Sequence, residues 1–278
     1  MRSRAGRFVP LSFPAPAPGA FALITGASQG IGEAIARQLA AEGHNLILVA
    51  RREDVLQKLG DELSLAHGIN VEIFAADLSK ARDVDALIKH INDRTVSICV
   101  NSAGIASFGP FMAQDWEYET NQFNLNATAV FRITKAVLDQ MVPRGEGALC
   151  NVGSAAGNLP IPNNATYVFT KAGVNQFTEA LHYELKDSGV HVTLLAPGPV
   201  REAYIPEEEQ SIVDKVVPDF LWTTYESCAA DTINAMRKNR RRIVPGPLSK
   251  AMDVVSNYAP RGWLPPIMGK FYAQMGEE

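Results

Sequence analysis

Tyr167 and Lys171 are the two side chains in this sequence whose types and spacing best suit acid–base chemistry. A phenol has a pKa of about 10, which is too high for ready proton exchange in both directions near neutral pH. Lys171 lies four residues later, so in a helix its ammonium group would share the same face and lower the pKa of the phenol. The same spacing also occurs in ordinary pairs on helix surfaces, so its meaning depends on the surrounding elements.

A glycine-rich turn at residues 25–32, TGASQGIG, follows an apolar run and precedes an amphipathic one. Gly26 would permit the tight turn, Gly30 would let a pyrophosphate approach the backbone, and Gly32 would let helix and strand pack closely. The backbone N–H groups at such a helix start are suited to hold phosphate oxygens. The position after an apolar strand favours a nucleotide site over a merely flexible turn.

Short apolar runs alternate with amphipathic stretches along most of the chain. We predict strands at 21–25, 46–50, 71–75, 97–101, 148–153 and 191–196, and an edge strand around 242–244. We predict helices at 31–42, 84–91, 115–141 and 167–185. A further helix is predicted to follow the second strand and to end near 67–68. This alternation is typical of an α/β protein with a doubly wound parallel β-sheet, a Rossmann fold, with helices on both faces.

Composition narrows the class of protein. The chain has 278 residues, of which 46% are hydrophobic, and a net charge of −4, which argues against a nucleic-acid binder. Three cysteines form neither a metal spacing nor a disulfide framework, the histidines share no ligand spacing, and we expect no metal site and a reducing, cytoplasmic location. No uncharged apolar run reaches about 18 residues, so we expect no integral membrane segment.

The chain is expected to form one catalytic domain with appendages. We predict a flexible N-terminal arm at 1–19, an NADP-binding catalytic domain at 20–249 with a substrate lid at 201–224, and a C-terminal extension at 250–278. The extension is apolar, aromatic and basic. It is expected to pack on the lid or a subunit interface, with contact to a membrane surface as the alternative.

Five segments in order resemble the short-chain dehydrogenase/reductase (SDR) family in its compact, single-domain form. They are the turn spaced T-G-x-x-x-G-x-G, Asp77, the NSAG run at 101–104, the Tyr167–Lys171 pair, and Pro197-Gly198; together they span about residues 21–200. The resemblance implies an oxidoreductase that transfers a hydride between a nicotinamide and a carbonyl or secondary alcohol. It also implies a homodimer or homotetramer, often built on the long helices after the fourth and fifth strands.

The resemblance assigns catalytic roles to four residues. Tyr167 is the expected proton donor, and Lys171 would tune it and hold the nicotinamide ribose. Ser154, thirteen residues before Tyr167, resembles the serine that orients the substrate carbonyl. Asn126 matches the helix asparagine of a water-linked proton relay, with Asn124 as the competing register.

The end of the second strand bears on cofactor choice. In dinucleotide sites an acidic residue there binds the adenosine ribose hydroxyls, whereas a 2′-phosphate favours arginine. Here Ala50 is followed by Arg51 and Arg52, so Arg51 is the expected 2′-phosphate ligand, with Arg52 or Ser28 assisting, and NADP(H) is the expected cofactor. The alternative is that both arginines simply begin a helix. Some NADP-preferring relatives carry a basic residue in the glycine turn, where this chain has Gln29.

By resemblance, Asp77 and Leu78 would face the adenine, Asn101 would line the cleft, and the backbone near Val200 would meet the carboxamide. Many relatives have a threonine shortly after the Pro-Gly pair, and this chain lacks it. The full set of expected cofactor-binding residues is Gly26, Ser28, Gln29, Gly30, Ile31, Gly32, Arg51, Arg52, Asp77, Leu78, Asn101, Ala103, Gly104, Tyr167, Lys171, Pro197, Gly198 and Val200.

The substrate is the least constrained part of the prediction. Residues 201–224 mix an acidic run with apolar side chains, which suggests either a partly hydrophobic pocket or ordinary packing of a lid helix. The leading hypothesis is an NADP(H)-dependent carbonyl reductase or alcohol dehydrogenase acting on a small molecule. A 3-oxoacyl thioester or lipid-ketone reductase is the alternative within the class, and an NADP-binding sensor or scaffold protein is the alternative outside it.

Overall fold

The computed structural model describes residues 12–201, 222–247, 249–251 and 253. Its centre is a seven-stranded sheet in the order β3-β2-β1-β4-β5-β6-β9, in which every neighbouring pair is parallel. The strands are β1 Ala20–Thr25, β2 Asn45–Ala50, β3 Val71–Ala75, β4 Thr95–Asn101, β5 Gly147–Val152, β6 Val190–Leu195 and β9 Arg242–Ile243. The doubly wound Rossmann fold expected from the alternating pattern is confirmed.

Helices cover both faces because the central strands are apolar on both sides. They are α1 Gly30–Ala41, α2 Glu53–His67, α3 Ala81–Asn92, α4 Trp116–Phe123, α5 Val130–Arg144, α6 Ala165–Glu184 and α7 Tyr225–Arg237. One buried cluster joins the sheet to α1, α2 and α7, and a second joins it to α3 and α5. The two cores fix the strand ends that carry the site.

The helical region between β4 and β5 differs from the single helix predicted at 115–141. It consists of α4, a π-helical segment at Asn124–Ala129, and α5, which extends to Arg144. The wider turn falls in the NLNATA stretch, which includes Asn126. Helix α7 and the small parallel pair β7 Val200–Arg201 and β8 Thr223–Thr224 were not predicted at all.

Two residues of the predicted N-terminal arm, Phe13 and Pro14, pack against the domain. The ring of Phe13 lies 6.3 Å from that of His44 and 5.3 Å from the guanidinium of Arg237. Pro14 is buried. These contacts remove apolar surface from water, whereas Ser12 and residues 15–19 are exposed.

Much of the predicted lid, and most of the C-terminal extension, lie outside the described residues. The two ends of the lid are held together by the parallel pairing of β7 with β8. Within the described part of the chain, no helix is both long and apolar enough to cross a bilayer.

Candidate active site

A cleft of about 450 Å³ opens at the carboxyl ends of the parallel strands, beside the point where the strand order reverses between β1 and β4. Ligands of doubly wound sheets bind at such a switch point. Most of the expected cofactor residues line it: Gly26, Ser28, Gln29, Gly30, Ile31, Arg51, Arg52, Asp77, Leu78, Ala103, Gly104, Tyr167, Lys171, Pro197, Gly198 and Val200.

The glycine-rich turn passes between β1 and α1 with almost no spare room. Gly26 has a φ of +68°, and a Cβ atom there would lie 2.8 Å from the Cα of Ala103. A Cβ atom at Gly32 would lie 2.4 Å from the carbonyl oxygen of Gly26. Thr25 ties the turn to the next strand end, since its Oγ1 accepts hydrogen bonds of 3.1 Å from the N–H groups of Ser102 and Ala103. The start of α1 is thus held open toward the cleft as an anion-binding cradle that suits a dinucleotide phosphate.

Two arginines stand at the end of β2, on the rim of the cleft. Arg52 reaches across to the glycine turn, where its Nη2 donates to the carbonyl oxygen of Ser28 at 3.1 Å and to Oε1 of Gln29 at 2.6 Å. Arg51 is exposed and lines the same rim. Both cationic groups therefore border the part of the cleft where β2 and the glycine turn meet.

Asp77 and Leu78 lie on the opposite side of that end of the cleft. Oδ1 of Asp77 accepts hydrogen bonds from the N–H and the hydroxyl of Ser79, at 3.0 and 2.8 Å, which fixes the carboxylate after β3. Leu78 is buried, and Val49 and Ala76 add apolar surface. Apolar side chains and one carboxylate thus line this part of the cleft, a combination that suits an adenine ring.

Asn101 does not line the cleft, contrary to expectation. Its side chain is buried, and its Nδ2 donates hydrogen bonds to Oδ1 of Asn151 at 2.9 Å and to Oγ1 of Thr134 at 3.2 Å. The last residue of β4 faces α5 and β5, so its amide joins neighbouring elements of the interior. Gly32 is also absent from the lining of the cleft, since its place is the contact between α1 and the turn.

Tyr167 and Lys171 line the cleft, and Ser154 lies beside Tyr167 but is absent from the lining. Lys171 is 4% exposed, and its Nζ donates a hydrogen bond of 2.9 Å to the carbonyl oxygen of Val152. The same Nζ lies 5.7 Å from the centre of the Tyr167 ring. Ser154 follows β5, where its Oγ accepts a hydrogen bond of 3.1 Å from the N–H of Ala156 and also bonds with Tyr167. The hydroxyl, phenol and ammonium groups are therefore neighbours.

The pKa of Tyr167 is raised in this structure, contrary to the expectation that it would be lowered. Burial raises the pKa of Tyr167, and the hydrogen bond with Ser154 acts in the opposite direction. Burial also lowers the pKa of Lys171 to about 8. The ammonium group donates its hydrogen bond to the carbonyl oxygen of Val152.

Asn126 is the buried asparagine of the π-helical segment, whereas Asn124 is only partly buried. Oδ1 of Asn126 accepts a hydrogen bond of 3.0 Å from the N–H of Ile105, and its Nδ2 donates one of 2.8 Å to the carbonyl oxygen of the same residue. A Cβ atom at Gly104 would lie 3.2 Å from this Oδ1 and 3.4 Å from Nζ of Lys171. Asn126 therefore fixes the loop after β4 close to the lysine.

Sequence reasoning missed two residues. Tyr225, the first residue of α7, lines the cleft, with a ring carbon 3.5 Å from the point where a Cβ atom of Gly30 would be. Asn175, four residues after Lys171, is fully buried and hydrogen-bonded to the backbone of Ser154. No motif marks Tyr225, whereas the position of Asn175 one helical turn after Lys171 was a usable signal.

Comparison with known proteins gives a consistent result. A family profile described as short chain dehydrogenase matches residues 20–211. Oxidoreductase UcpA of Escherichia coli (strain K12) is 34% identical over 209 residues, which cover 71% of this chain and 79% of UcpA. The 3-oxoacyl-acyl-carrier-protein reductase FabG of Vibrio cholerae is 37% identical over 182 residues, which cover 65% of this chain and 73% of FabG.

Among solved structures, a short-chain dehydrogenase from Sphingobium yanoikuyae in complex with NADPH has a TM-score of 0.73 at 27% identity. The match covers 93% of this chain and 96% of that chain. The profile match takes in most of the sequence, including the glycine turn and the Tyr167–Lys171 pair. The chain therefore belongs to the short-chain dehydrogenase family and is an oxidoreductase of that family.

Proposed function

We propose that this protein is an NADP(H)-dependent carbonyl reductase that also works in the alcohol-oxidising direction, on a partly hydrophobic small molecule. The observation that carries the proposal is that Ser154, Tyr167 and Lys171 lie together, with Tyr167 and Lys171 lining the cleft. When bound, the reduced nicotinamide supplies the hydride that the carbonyl carbon accepts. The residues of the chain then have to supply a proton and hold the carbonyl oxygen.

Tyr167 donates that proton to the oxygen as negative charge develops on it. The raised pKa of Tyr167 keeps the phenol protonated at neutral pH, as a proton donor for reduction must be. Ser154 donates a hydrogen bond to the same oxygen and orients it. The phenolate left behind regains its proton from solvent, and Asn126, which fixes the loop beside Lys171, supports the path of that proton.

Lys171 has two tasks in this proposal. One N–H donates to the carbonyl oxygen of Val152, which leaves two donors of the ammonium group for the nicotinamide ribose hydroxyls. Its charge also stabilises the phenolate once Tyr167 has given up its proton. Both tasks need the protonated form, which predominates below a pH of about 8.

NADP(H) is favoured over NAD(H) by the two arginines on the rim. Arg51 follows β2, the position at which NAD sites carry a carboxylate for the ribose hydroxyls, and it lines the same cleft as Ser28. Gln29 brings no charge to the glycine turn, but the guanidinium of Arg52 lies against it. Two cations at this point suit a 2′-phosphate. The Sphingobium yanoikuyae relative was solved with NADPH, which supports the same choice.

A 3-oxoacyl thioester is the second candidate substrate. The similarity to FabG of Vibrio cholerae, at 37% identity, favours it. The roles of Tyr167, Ser154 and Lys171 are the same for a thioester-linked ketone, so only a substrate panel separates the two. An NADP-binding sensor or scaffold is the remaining alternative, and it predicts binding without turnover.

We also propose that the chain forms a homo-oligomer through α4, α5 and α6. These helices expose an aromatic face, defined as Phe123, Phe131, Phe169 and Phe177. Phe123 and Phe169 stack at 5.4 Å, and Phe131 and Phe177 contact at 5.5 Å. Phe131 and Phe169 are 59% and 66% exposed, which is costly in water and typical of a protein interface.

A reducing, cytoplasmic location fits the same proposal. Cys99, Cys150 and Cys228 are free and buried, and burial raises the pKa of each thiol. They act as small apolar core residues, as is usual in reducing compartments.

The test is NADPH consumption by the purified chain with ketones, aldehydes and 3-oxoacyl thioesters, with NADH in parallel. Turnover faster with NADPH than with NADH supports the proposal, and the preferred substrate identifies the pocket. NADPH binding with no turnover on any class of carbonyl would favour the sensor instead.

A further inference from the structure

The chain after β9 returns to the candidate active site. Ser249 is 2% exposed, and a Cβ atom at Gly198 would lie 2.2 Å from its Oγ. Asp253 accepts a hydrogen bond of 2.8 Å from Nδ2 of Asn158, in the short helix Ala155–Asn158 that follows Ser154. This part of the C-terminal extension therefore contacts both the turn after β6 and the segment after β5.

A continuous chain of hydrogen bonds leads from Asp253 to Ser154. Nδ2 of Asn175 donates a hydrogen bond of 3.2 Å to Oδ1 of Asn158 and another of 2.9 Å to the carbonyl oxygen of Ser154. Oδ1 of Asn175 accepts a hydrogen bond of 3.3 Å from the N–H of Ser154. Both backbone polar groups of Ser154 are thus bound to one buried amide.

The direction of these bonds is consistent from both ends, the carboxylate of Asp253 and the backbone N–H and carbonyl of Ser154. A carboxylate only accepts hydrogen bonds, so Nδ2 of Asn158 must face Asp253 and its Oδ1 must face Asn175. Nδ2 of Asn175 must then face Asn158, which leaves its Oδ1 for the N–H of Ser154. This is the orientation in which Asn175 satisfies both backbone groups of Ser154.

Close packing and charge hold the chain of bonds in place. A Cβ atom at Gly153 would lie 1.9 Å from Oδ1 of Asn175, so this amide lies directly against the end of β5. Arg242 forms an ion pair with Asp253, and both side chains are largely buried. Arg242 also lies 3.5 Å from Glu179 of α6. The carboxylate of Asp253 is therefore fixed by β9 while it fixes Asn158.

From this geometry we infer that Asp253 is a positioning residue for Ser154, acting through Asn158 and Asn175. The C-terminal extension thereby completes the support of the hydroxyl that orients the substrate carbonyl. The inference rests on the proposed reductase function, in which a small displacement of Ser154 slows the chemical step more than it weakens cofactor binding.

The test compares Asp253→Ala with Asp253→Asn, which retains an acceptor oxygen for Asn158. We expect kcat for carbonyl reduction to fall about tenfold in Asp253→Ala, with KM for NADPH unchanged, and to recover to within about threefold of the unmodified chain in Asp253→Asn. Glu179→Gln is the matched control, because it removes the other carboxylate beside Arg242 without touching Asn158. Asn158→Ala should lose as much kcat as Asp253→Ala while keeping the ion pair with Arg242, which covers the case in which Asp253→Ala does not fold.

A second readout does not depend on turnover. Backbone hydrogen exchange at residues 153–158 should be faster in Asp253→Ala and Asn158→Ala than in Glu179→Gln. Equal losses of kcat in Glu179→Gln, or unchanged kcat and unchanged exchange in Asp253→Ala, would overturn the inference. If the unmodified chain turns over no carbonyl, the proposed function fails, whereas the exchange result still decides whether Asp253 holds this segment.

Discussion

Nζ of Lys171 donates a 2.9 Å hydrogen bond to the carbonyl oxygen of Val152, at the end of β5. The bond anchors a buried ammonium group, whose pKa is lowered to about 8 by burial. In the proposed function, this anchor leaves two donors of the ammonium group for the nicotinamide ribose. A change of pH around 8 therefore changes the protonation of Lys171.

The first prediction concerns pH. Lys171 is protonated below a pH of about 8 and neutral above it, so kcat/KM for NADPH should fall as pH rises through about 8. A pH series of initial rates at saturating carbonyl substrate measures this. The descending limb should disappear in Lys171→Met, whose residual activity should be low and flat, and a plateau in the unmodified chain up to pH 10 would contradict the assignment.

The same shift has the opposite sign for stability. An unfolded lysine keeps its proton up to a pKa of about 10.4, so between pH 8 and 10 the unfolded chain binds more protons than the folded one at this residue. The free energy of unfolding, compared with that of Lys171→Met, should therefore rise over this window. Urea unfolding of both chains at pH 7.5 and 9.5 gives the comparison.

The second prediction concerns the cofactor phosphate. Arg51→Ala should raise KM for NADPH about tenfold and leave KM for NADH nearly unchanged, because a charge-assisted hydrogen bond is lost only with the 2′-phosphate. Arg240→Ala, an exposed arginine outside the cleft, is the control. Equal effects of Arg51→Ala on both cofactors would show that Arg51 does not read the 2′-phosphate.

The third prediction concerns the glycine turn. Gly32→Ala should destabilise the fold by about 1–3 kcal/mol and abolish NADPH binding, since a Cβ atom there would meet the backbone oxygen of Gly26 at 2.4 Å. Gly173→Ala is the matched control within α6, where nothing lies within 4 Å, and it should be neutral or stabilising. Urea unfolding and a NADPH titration test both, and a Gly32→Ala chain of unchanged stability would be inconsistent with the packing described.

The fourth prediction concerns assembly. Phe169→Glu should convert the oligomer to smaller species, because a carboxylate cannot be buried in an aromatic contact without a partner. Leu65→Glu changes a residue of α2 that is 90% exposed and outside the aromatic face, so it should leave the mass unchanged. Sedimentation velocity of the three chains is the measurement, and a monomeric unmodified chain would refute the proposed interface.

Local features of the site could be predicted from the sequence, whereas contacts between distant segments could not. The glycine turn and the Tyr167–Lys171 pair depend on backbone geometry over a few residues, which spacing encodes. Tyr225 reaches the cleft only because β8 pairs with β7 across the variable segment, and no local pattern signals that pairing. Asp253 meets Asn158 for the same kind of reason.

Side-chain direction was the other source of error. Asn101 stands in a run that marks the cleft, but it is the last residue of β4, and its side chain faces Thr134 and Asn151 in the interior. The π-helical segment was missed because the sequence from 115 to 141 keeps an ordinary helical pattern. In both cases tertiary packing decided what the local pattern left open.

The central claim is that Tyr167 gives the proton in an NADPH-dependent carbonyl reduction. Its most direct test is the single-turnover rate of NADPH oxidation with the best carbonyl substrate, in the unmodified chain and in Tyr167→Phe. We expect a rate at least about 100-fold lower in Tyr167→Phe, with NADPH affinity retained. An undiminished rate in Tyr167→Phe, with the same substrate and cofactor, would contradict it.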